Sequence, residues 1–538
     1  MPLLDKLKGI YKVQECNTDC YDKCQRNIYK DNNKCILHCK KNDYSKDLDS
    51  NLLSDFYDEF IKYIITNLFK HTDLLENKLN KENLKSYLKS NKYDNEEYNN
   101  ILKNTIFTPS CIHFSTRDER DTFDYLKILN LFGQIHFNYC EFYLSSLNLE
   151  NVECFFQDCK FHTDWILYNY GILENQDNVT YQTCEFNKGV SNYIPDKQKE
   201  LAVYKYSQFD YTCTFHSNIE FDRCKFKDML FNTNQNNYLE ENILEQIIFE
   251  NCIFDSKFKL NNFQIQTFKI INTIFKNKFE FKENILGELL IDNSNFEKIV
   301  DLFGSKFKRF KIYKSIFDDF VGFENCQFGT DNKLREEISI FKYATFLDFI
   351  NFRNTNFKSG LDIENINIKE APNFLNMSIE FKNTNRETFR IIKHSFDKIN
   401  NNIEANKYFI EEMKKYKEDL KKKSLKGNIQ EKIVFNLNDT ISSFGQSYLK
   451  PILLLIGFVI IYNFIVYGYE QNWLYKIYPP ANHYIQSFTD LFNNIAKNIL
   501  PFAKFLKEDL EFLSLLFYII FSILIWQIIV SIKRYTKR

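Results

Sequence analysis

Four phenylalanines in the middle of the chain, Phe254, Phe275, Phe296 and Phe317, follow one another at a single constant interval, each numbered twenty-one above the last. An amphipathic helix repeats its apolar residues about every 3.6 positions and a strand about every second position, so neither element explains this interval. A chain wound into a coil with four flat sides of about five residues returns to the same point after about 20 residues. The spacing therefore predicts a solenoid in which these four rings lie one above another.

A six-residue motif recurs within this interval and describes the sides of the coil. Two large apolar residues stand five positions apart, with Cys, Ser or Thr two positions before the second, as in FENCIF (Phe249–Phe254) and FENCQF (Phe323–Phe328). Side chains alternate along a strand, so the small residue also points inward, near a tight corner that a compact thiol can fill. We expect the cysteines at this position to be buried. They are Cys140, Cys159, Cys184, Cys213, Cys224, Cys252 and Cys326.

The pattern resembles the pentapeptide-repeat family between about Cys140 and Phe357. In that family a small residue is followed by Asp or Asn and then by Leu or Phe, and the resemblance implies a right-handed, four-sided β-helix. In this chain Asn instead usually precedes the small residue, so the predicted solenoid is irregular. A Phe-rich β-sandwich is the alternative fold. The asparagines before the small residue are Asn251, Asn272, Asn293, Asn325 and Asn354.

Two apolar runs near the carboxyl end, Leu449–Tyr469 and Phe512–Ile532, are each long enough to cross a bilayer as a helix. Lysine-rich sequence precedes the first (Lys414–Lys426), and the basic Lys533–Arg538 follows the second. The positive-inside rule then predicts that both termini and the solenoid are cytoplasmic, at an inner (cytoplasmic) membrane. A basic segment followed by a long apolar stretch is not found at the amino-terminal start, which argues against a cleaved secretory signal. The cysteines are therefore expected to be reduced thiols or metal ligands rather than disulfides.

The predicted fold class is mainly β with α: a four-sided β-helix capped by helices, followed by a two-span transmembrane helical hairpin. The last 150 residues also resemble the anchor region of bacterial membrane-anchored pentapeptide-repeat proteins, which implies architecture only. The predicted domains are a Cys-rich helical hairpin (1–48), a helical cap (49–136), the β-helix (137–380), a helical hairpin (381–428), a juxtamembrane helix (429–448), the first span (449–469), an outer linker with an amphipathic helix (470–511), the second span (512–532) and a basic cytosolic tail (533–538).

The amino-terminal cysteines are the best candidate for a chemical site. Two C-x3-C pairs, Cys20 with Cys24 and Cys35 with Cys39, would each lie on one face of a helix and could meet across a turn. Four thiolates in that arrangement suit tetrahedral zinc, and Cys16 or His38 could replace one of them. Structural zinc and metal-free packed thiols remain alternatives, with a redox role as a third.

Nothing else in the sequence indicates chemistry. The formal net charge of −1 gives no reason to expect a nucleic-acid partner. The chain contains neither a phosphate-binding loop nor a nucleophile-elbow motif, so we expect no catalysis. The hypothesis is a scaffold that binds an unknown protein partner at the lipid bilayer, with homo-oligomerisation left open. A two-span oligomeric channel regulated by its cytosolic β-helix is the alternative.

Overall fold

A computed structural model describes residues 16, 24, 26–29, 33–41, 50–71, 80–90, 92–116, 123–149, 152–168, 179–194, 200–232, 242–422, 429–471, 490–493 and 506–536. The chain divides into two compact units, 1–383 and 384–538. The first contains a parallel β-solenoid of about 10 turns. The second is helical.

The described part of the first unit contains the helices α1 Ser50–His71, α2 Lys81–Lys89, α3 Glu96–Lys103 and α4 Tyr125–Leu129. In α1, the apolar face formed by Phe56, Phe60 and Ile64 is buried. The rings of Phe56 and Phe60 pack edge-on against Phe114 of the solenoid, at 6.4 and 5.6 Å between ring centroids. The helix therefore covers the first turns of the solenoid with aromatic side chains.

The solenoid strands up to residue 232 are β1 Ile106–Phe107, β2 His113–Phe114, β3 Gln134–Asn138, β4 Glu141–Phe142, β5 Glu153–Gln157, β6 Lys160–Phe161, β7 Trp165–Leu167, β8 Val179–Gln182, β9 Glu185–Phe186, β10 Val190–Asn192, β11 Ala202–Tyr204, β12 Ser207–Asp210, β13 Thr214–Phe215, β14 Ile219–Asp222, β15 Cys224–Phe226 and β16 Phe231–Asn232.

The strands that follow are β17 Asn242–Glu250, β18 Ile253–Phe254, β19 Phe258–Lys259, β20 Phe263–Ile271, β21 Ile274–Phe275, β22 Phe279–Glu280, β23 Ile285–Asp292, β24 Asn295–Phe296, β25 Val300–Asp301, β26 Lys306–Tyr313, β27 Ile316–Phe317, β28 Val321–Gly322, β29 Gln327–Phe328, β30 Ser339–Phe346, β31 Ile350–Asn351, β32 Asn356–Phe357, β33 Leu361–Ile368 and β34 Ser378–Ile379, with a 3-10 turn at Arg335–Glu337.

The predicted aromatic column is confirmed. Phe254, Phe275, Phe296 and Phe317 occupy the same register position on parallel strands. Their ring centroids are 4.6, 4.9 and 4.8 Å apart, and successive ring planes are tilted by only 5–8°. All four side chains are buried. Because the strands are parallel and one turn apart, the distance between successive identical rings is about the distance between neighbouring strands.

One turn of the coil explains why the interval is one residue longer than four sides of five. Each side has two buried residues two positions apart, and the second of each pair, from Phe249 onward, is Phe254, Leu260, Ile265 and Ile270 in turn. Ile270 pairs with Phe249 one turn below. The steps between them are five, six, five and five residues. Three sides therefore keep the five-residue repeat, and the side that contains both Phe258 and Leu260 has one extra residue.

The asparagines that departed from the family pattern have a common backbone conformation. Each is left-handed, with φ of 53° at Asn251, 50° at Asn272, 48° at Asn293, 59° at Asn325 and 55° at Asn354. Among residues with a Cβ, Asn tolerates this region best because its short polar side chain can bond locally. The Asn before the small residue is thus a corner residue that turns the chain from one side of the coil to the next.

The seven cysteines of the repeat motif are buried, as predicted. Twelve of the described cysteines are free of disulfide bonds. The expectation of reduced thiols is wrong for Cys111, which is disulfide-bonded.

The second unit contains α5 Arg386–Lys398, α6 Asn402–Lys422, α7 Ile429–Ser442, α8 Leu449–Glu470 and α9 Glu511–Thr536. Helices α5 and α6 form the predicted hairpin, turning at Asn400 with φ 60°. The apolar helices α8 and α9 pack together, and the Tyr462 hydroxyl lies 3.0 Å from that of Ser514. By length and composition, Leu449–Glu470 and Glu511–Arg534 are candidate membrane spans. Most of the predicted outer linker and its amphipathic helix lies outside the described residues.

Candidate metal centre

Four buried side chains near the amino terminus form one cluster. The thiol sulfurs of Cys16, Cys24 and Cys35 and a ring nitrogen of His38 all lie within 4.8 Å of one another. Each residue is at most 8% exposed. Three potential thiolates and one imidazole constitute a familiar ligand set for structural zinc.

The separations between these atoms fit a tetrahedron. With Zn–S of about 2.3 Å and Zn–N of about 2.0 Å, tetrahedral ligands lie about 3.8 Å apart for two sulfurs and about 3.5 Å apart for sulfur and nitrogen. The Cys24 and Cys35 sulfurs are 3.8 Å apart. His38 Nδ1 lies 3.6 Å from the Cys16 sulfur and 3.3 Å from the Cys35 sulfur. The donor atoms are therefore positioned for one small ion at their centre.

A single tight turn brings two of the donors together. The backbone N–H groups of His38 and Cys39 both donate to the Cys35 carbonyl, at 3.0 and 2.9 Å. Residues three apart on such a turn point the same way, so Cys35 and His38 form a C-x2-H pair. On the other side of the cluster, the Cys16 N–H donates to the Arg26 carbonyl at 3.1 Å and fixes Cys16 beside the segment that follows Cys24.

Two N–H groups point at the sulfurs. The Cys35 backbone N–H donates to the Cys16 sulfur at 3.1 Å, and the Arg26 guanidinium donates to the Cys24 sulfur at 3.8 Å. Donors of this kind orient thiolate ligands and lower their negative charge density. They make a cluster of several thiolates less unfavourable in a buried setting.

The thiols of the cluster differ in pKa. The hydrogen bond from the Cys35 thiol lowers the pKa of Cys24 to about 3 and raises the pKa of Cys35 itself. Burial raises the pKa of Cys16. An incoming metal ion would displace the protons that these thiols hold.

A buried lysine lies next to the cluster. The Lys41 ammonium donates to the Cys39 carbonyl at 3.1 Å and lies 5.1 Å from the centre of the Phe56 ring. Burial lowers the pKa of Lys41 to about 8. Three thiolates and a neutral imidazole around a divalent ion leave one net negative charge. Lys41 is therefore a charge of the correct sign to balance such a centre.

The cluster is attached to the first turn of the solenoid. The His113 N–H at the start of β2 donates to the Leu37 carbonyl at 2.8 Å, and Leu37 lies on the turn between Cys35 and His38. The turn thereby supplies a backbone acceptor to the strand at the beginning of the parallel stack. This contact links the geometry of the cluster to the end of the solenoid, where an unpaired strand would otherwise be exposed.

The structure assembles a ligand set that overlaps the predicted one. Cys24 and Cys35 belong to it, and both substitutes, Cys16 and His38, belong as well. The Cys39 thiol donates instead to the Ile36 carbonyl at 3.6 Å. Cys20 lies outside the described residues. The prediction assumed helices, in which positions four apart share a face, whereas Cys35–Cys39 is a turn, for which the C-x2-H spacing was the relevant signal.

A second polar cluster was missed because its members are distant in sequence. Glu141 lies 3.5 Å from His113 and 2.9 Å from His162, and it accepts a hydrogen bond from Tyr143 at 2.9 Å. Burial raises the pKa of Glu141, but the hydrogen bonds from His162 and Tyr143 and the His113 charge outweigh it and lower the value to about 2. The stacking of β2, β4 and β6 creates this cluster. These side chains form a polar row across adjacent turns, in which His113 is buried and burial lowers its pKa to about 3.

Searches against protein-family models, curated proteins and solved structures found no match for this chain.

Proposed function

We propose that this chain is a membrane-anchored scaffold of the pentapeptide-repeat type, in which the solenoid binds a protein partner without catalysis. The helices α8 and α9 would hold it in a bacterial-type inner membrane, with the solenoid and both termini in the cytoplasm. A fold of stacked parallel strands with a closed aromatic core offers its outer sides as fixed surfaces, which suits binding.

The exposure of the two apolar helices is the observation that carries the proposal. Only 6% of the most apolar window of α8 and 22% of that of α9 are buried within the protein. Large side chains such as Phe464 and Trp526 are 65% and 63% exposed. A core helix of a soluble protein would be buried, whereas exposed apolar surface of this extent is stable in lipid.

The outer surface of the solenoid supports a binding role. Its charged side chains are held in ladders from turn to turn, for example Lys257 with Glu280 at 2.9 Å and Lys282 with Asp301 at 2.8 Å. Side chains on such ladders lose little further conformational freedom when a partner docks. A rigid surface of this kind favours recognition of one partner over many.

The binding role is tested with a photo-crosslinking amino acid placed on the solenoid of the full chain in cells. Tyr343, 61% exposed, and Leu347, 43% exposed, are outward positions, and the buried Phe346 is the matched control. We expect a discrete adduct from an outward position and none from Phe346. The scaffold proposal fails if outward positions give no adduct, or if the purified protein produces reproducible single-channel steps in planar bilayers.

We also propose that Cys16, Cys24, Cys35 and His38 hold one structural zinc ion. The fit of the donor separations to a tetrahedron supports zinc, as does the mixture of thiolates with an imidazole. Its role would be to hold the turn at 35–39 against the start of the solenoid through the Leu37–His113 hydrogen bond. Four protein ligands leave no open position, so the ion would be structural rather than catalytic.

Plasma emission on the full chain purified in detergent tests the zinc site. We expect about one zinc per chain, lost in Cys35→Ala and His38→Ala and retained in Cys39→Ala, because the Cys39 thiol points elsewhere. Removal of the ion should also accelerate hydrogen exchange at the His113 amide. Metal-free protein with an intact solenoid, or equal loss in Cys39→Ala, would refute the site.

A further inference from the structure

Helix α7, between the cytosolic hairpin and the first candidate span, has its polar side turned toward the protein. Asp439 pairs with Lys417 of α6 at 2.7 Å, and Glu431 accepts a hydrogen bond from the Tyr416 hydroxyl. Ser442 donates to the Gln527 side chain of α9 at 2.9 Å. At 100° per residue these positions share one side of the helix, where Phe435 also packs against the rings of Tyr416 and Phe444, at 4.9 and 5.9 Å.

The opposite side of α7 is exposed and mainly aliphatic, with Gln430 and Thr440 as its exposed polar members. Ile429, Ile433, Val434 and Leu437 are between 53% and 59% exposed. At 100° per residue they fall within an arc of about 140°, and Leu437 lies near its centre. A helix packed on a soluble protein buries such an arc and leaves its charged residues in water. Here Asp439 and Glu431 contact the protein and the aliphatic arc faces outward, which favours an apolar surrounding on the outer side.

The chain between α7 and α8 places this aliphatic arc at the end of the candidate spans. Ser443, Phe444 and Gly445 are all left-handed, with φ of 48°, 59° and 78°, and turn the chain sharply before Leu449. The Arg534 guanidinium, at the end of the apolar run of α9, donates to the Phe444 carbonyl. A Cβ on Gly445 would come within 3.1 Å of that guanidinium. Lysine and arginine at the end of an apolar helix mark the headgroup level of a bilayer.

We propose that α7 is an interfacial helix that inserts its aliphatic arc among the lipid acyl chains of the leaflet next to Arg534. The inference rests on the proposed membrane anchor and adds a third, in-plane contact with lipid. The occupant is lipid because α7 contacts α9 through Ser442 and leads through one short turn into α8, and both of those helices expose large apolar side chains. Exposed lysines at the end of α6, Lys421 and Lys422, supply positive charge for anionic headgroups. An in-plane helix of this kind would fix the direction in which the cytosolic hairpin leaves the membrane.

Quenching of tryptophan fluorescence by lipids with brominated acyl chains tests the insertion. The full chain is reconstituted into vesicles that contain an anionic lipid, with Trp473→Phe and Trp526→Phe as background, so that Trp165, buried in the solenoid, is a constant reference. Leu437→Trp should be quenched at least about twofold more than Asn436→Trp, because the neighbouring position points about 100° away. Ile433→Trp, on the same arc, repeats the measurement should Leu437→Trp fold poorly.

The native Trp526 separates failure of this inference from failure of the anchor. In Trp473→Phe alone, Trp526 of α9 should be quenched by the same lipids if α9 enters the bilayer. Quenching at Trp526 without quenching on the arc of α7 overturns the interfacial helix and leaves the anchor intact. Absence of quenching at both overturns both. A blue-shifted but unquenched Leu437→Trp means that protein covers the arc, and this also overturns the inference.

Discussion

The two halves of the solenoid have the same stacked aromatic core, but the rings follow one another along the chain at different intervals. From Phe254 to Phe317 the stacked rings are evenly spaced along the chain, whereas the intervals between Phe142, Phe161, Phe186 and Phe215 are unequal and lengthen toward Phe215. The rings of the second set nevertheless stack at 4.9, 4.6 and 5.1 Å, with planes tilted by 6–8°. The connections between strands therefore vary in length to accommodate the unequal intervals. The stacking of the rings in the core does not depend on equal intervals.

The halves differ in the small residue at the corner. In the irregular half (106–232) it is a cysteine, and the thiols of Cys159 and Cys184 donate to backbone carbonyls at 3.3 and 3.4 Å. In the regular half (242–317) hydroxyls also accept: the N–H of Cys252 donates to Thr273 at 3.3 Å, and that of Thr273 donates to Ser294 at 3.1 Å. A hydroxyl is a much better acceptor than a thiol, so the regular half gains a side-chain link between turns.

The largest expected effect is the removal of one ring from each column. Phe275→Ala and Phe186→Ala should each lower the free energy of unfolding by about 3–5 kcal/mol, because each deletes a fully buried ring stacked on two others. Urea titration of the β-sheet circular dichroism of the full chain in detergent measures the loss. The matched variants Phe275→Leu and Phe186→Leu should retain most of the stability.

If the two columns are equivalent, the two alanine variants should agree within about 1 kcal/mol. A much smaller loss for Phe186→Ala would mean that the irregular half relaxes around the cavity, and the equivalence of the two cores would be wrong.

An intermediate effect is expected from the hydroxyl link. Thr273→Val keeps the shape of the side chain but leaves the buried N–H of Cys252 without its acceptor, so the free energy of unfolding should fall by about 1–3 kcal/mol. Thr273→Ser keeps the hydroxyl and serves as the control. Hydrogen exchange at the Cys252 amide should accelerate in the valine variant only. Equal exchange in both variants would show that the hydroxyl is not the acceptor that protects this amide.

The fold was predictable where one physical requirement governs both sequence and structure. An aromatic residue such as Phe275 must occur at the same position in each turn to keep the core filled. The number of residues per turn can therefore be predicted from the spacing of the large residues. The corner asparagines were visible in the sequence, but their left-handed backbone was not, because the resemblance placed Asn after the small residue. The spacing alone also did not reveal that one side of the coil holds an extra residue.

The candidate metal centre was harder to predict because no repeat relates its parts. Cys24 and Cys35 were chosen correctly as neighbours, but assigning helical geometry to Cys35–Cys39 favoured Cys39 over His38. Whether four residues from three short segments meet depends on the turns between them, and hydrogen bonds such as the one from Cys16 to Arg26 decide those turns. Contacts across solenoid turns, such as Glu141 with His162, require a strand register that irregular spacing hides.

The smallest expected effect, and the one that most directly contrasts the two halves, is at the corners. Thr183 in the irregular half and Asn272 in the regular half have nearly the same left-handed φ, 51° and 50°. A β-branched residue is strained in this region and Asn is not. Thr183→Asn should therefore raise the free energy of unfolding by about 0.5–1 kcal/mol, and Asn272→Thr should lower it by about 1 kcal/mol. The second loss should be the larger because Asn272 also bonds to Asn251 and Asn293, at 3.2 and 2.8 Å. A gain of stability in Thr183→Asn with a loss in Asn272→Thr would establish that the corner residues lower the stability of the irregular half. A loss of stability in both variants would mean that contacts of Thr183, such as its hydrogen bond with Thr212, outweigh its backbone strain.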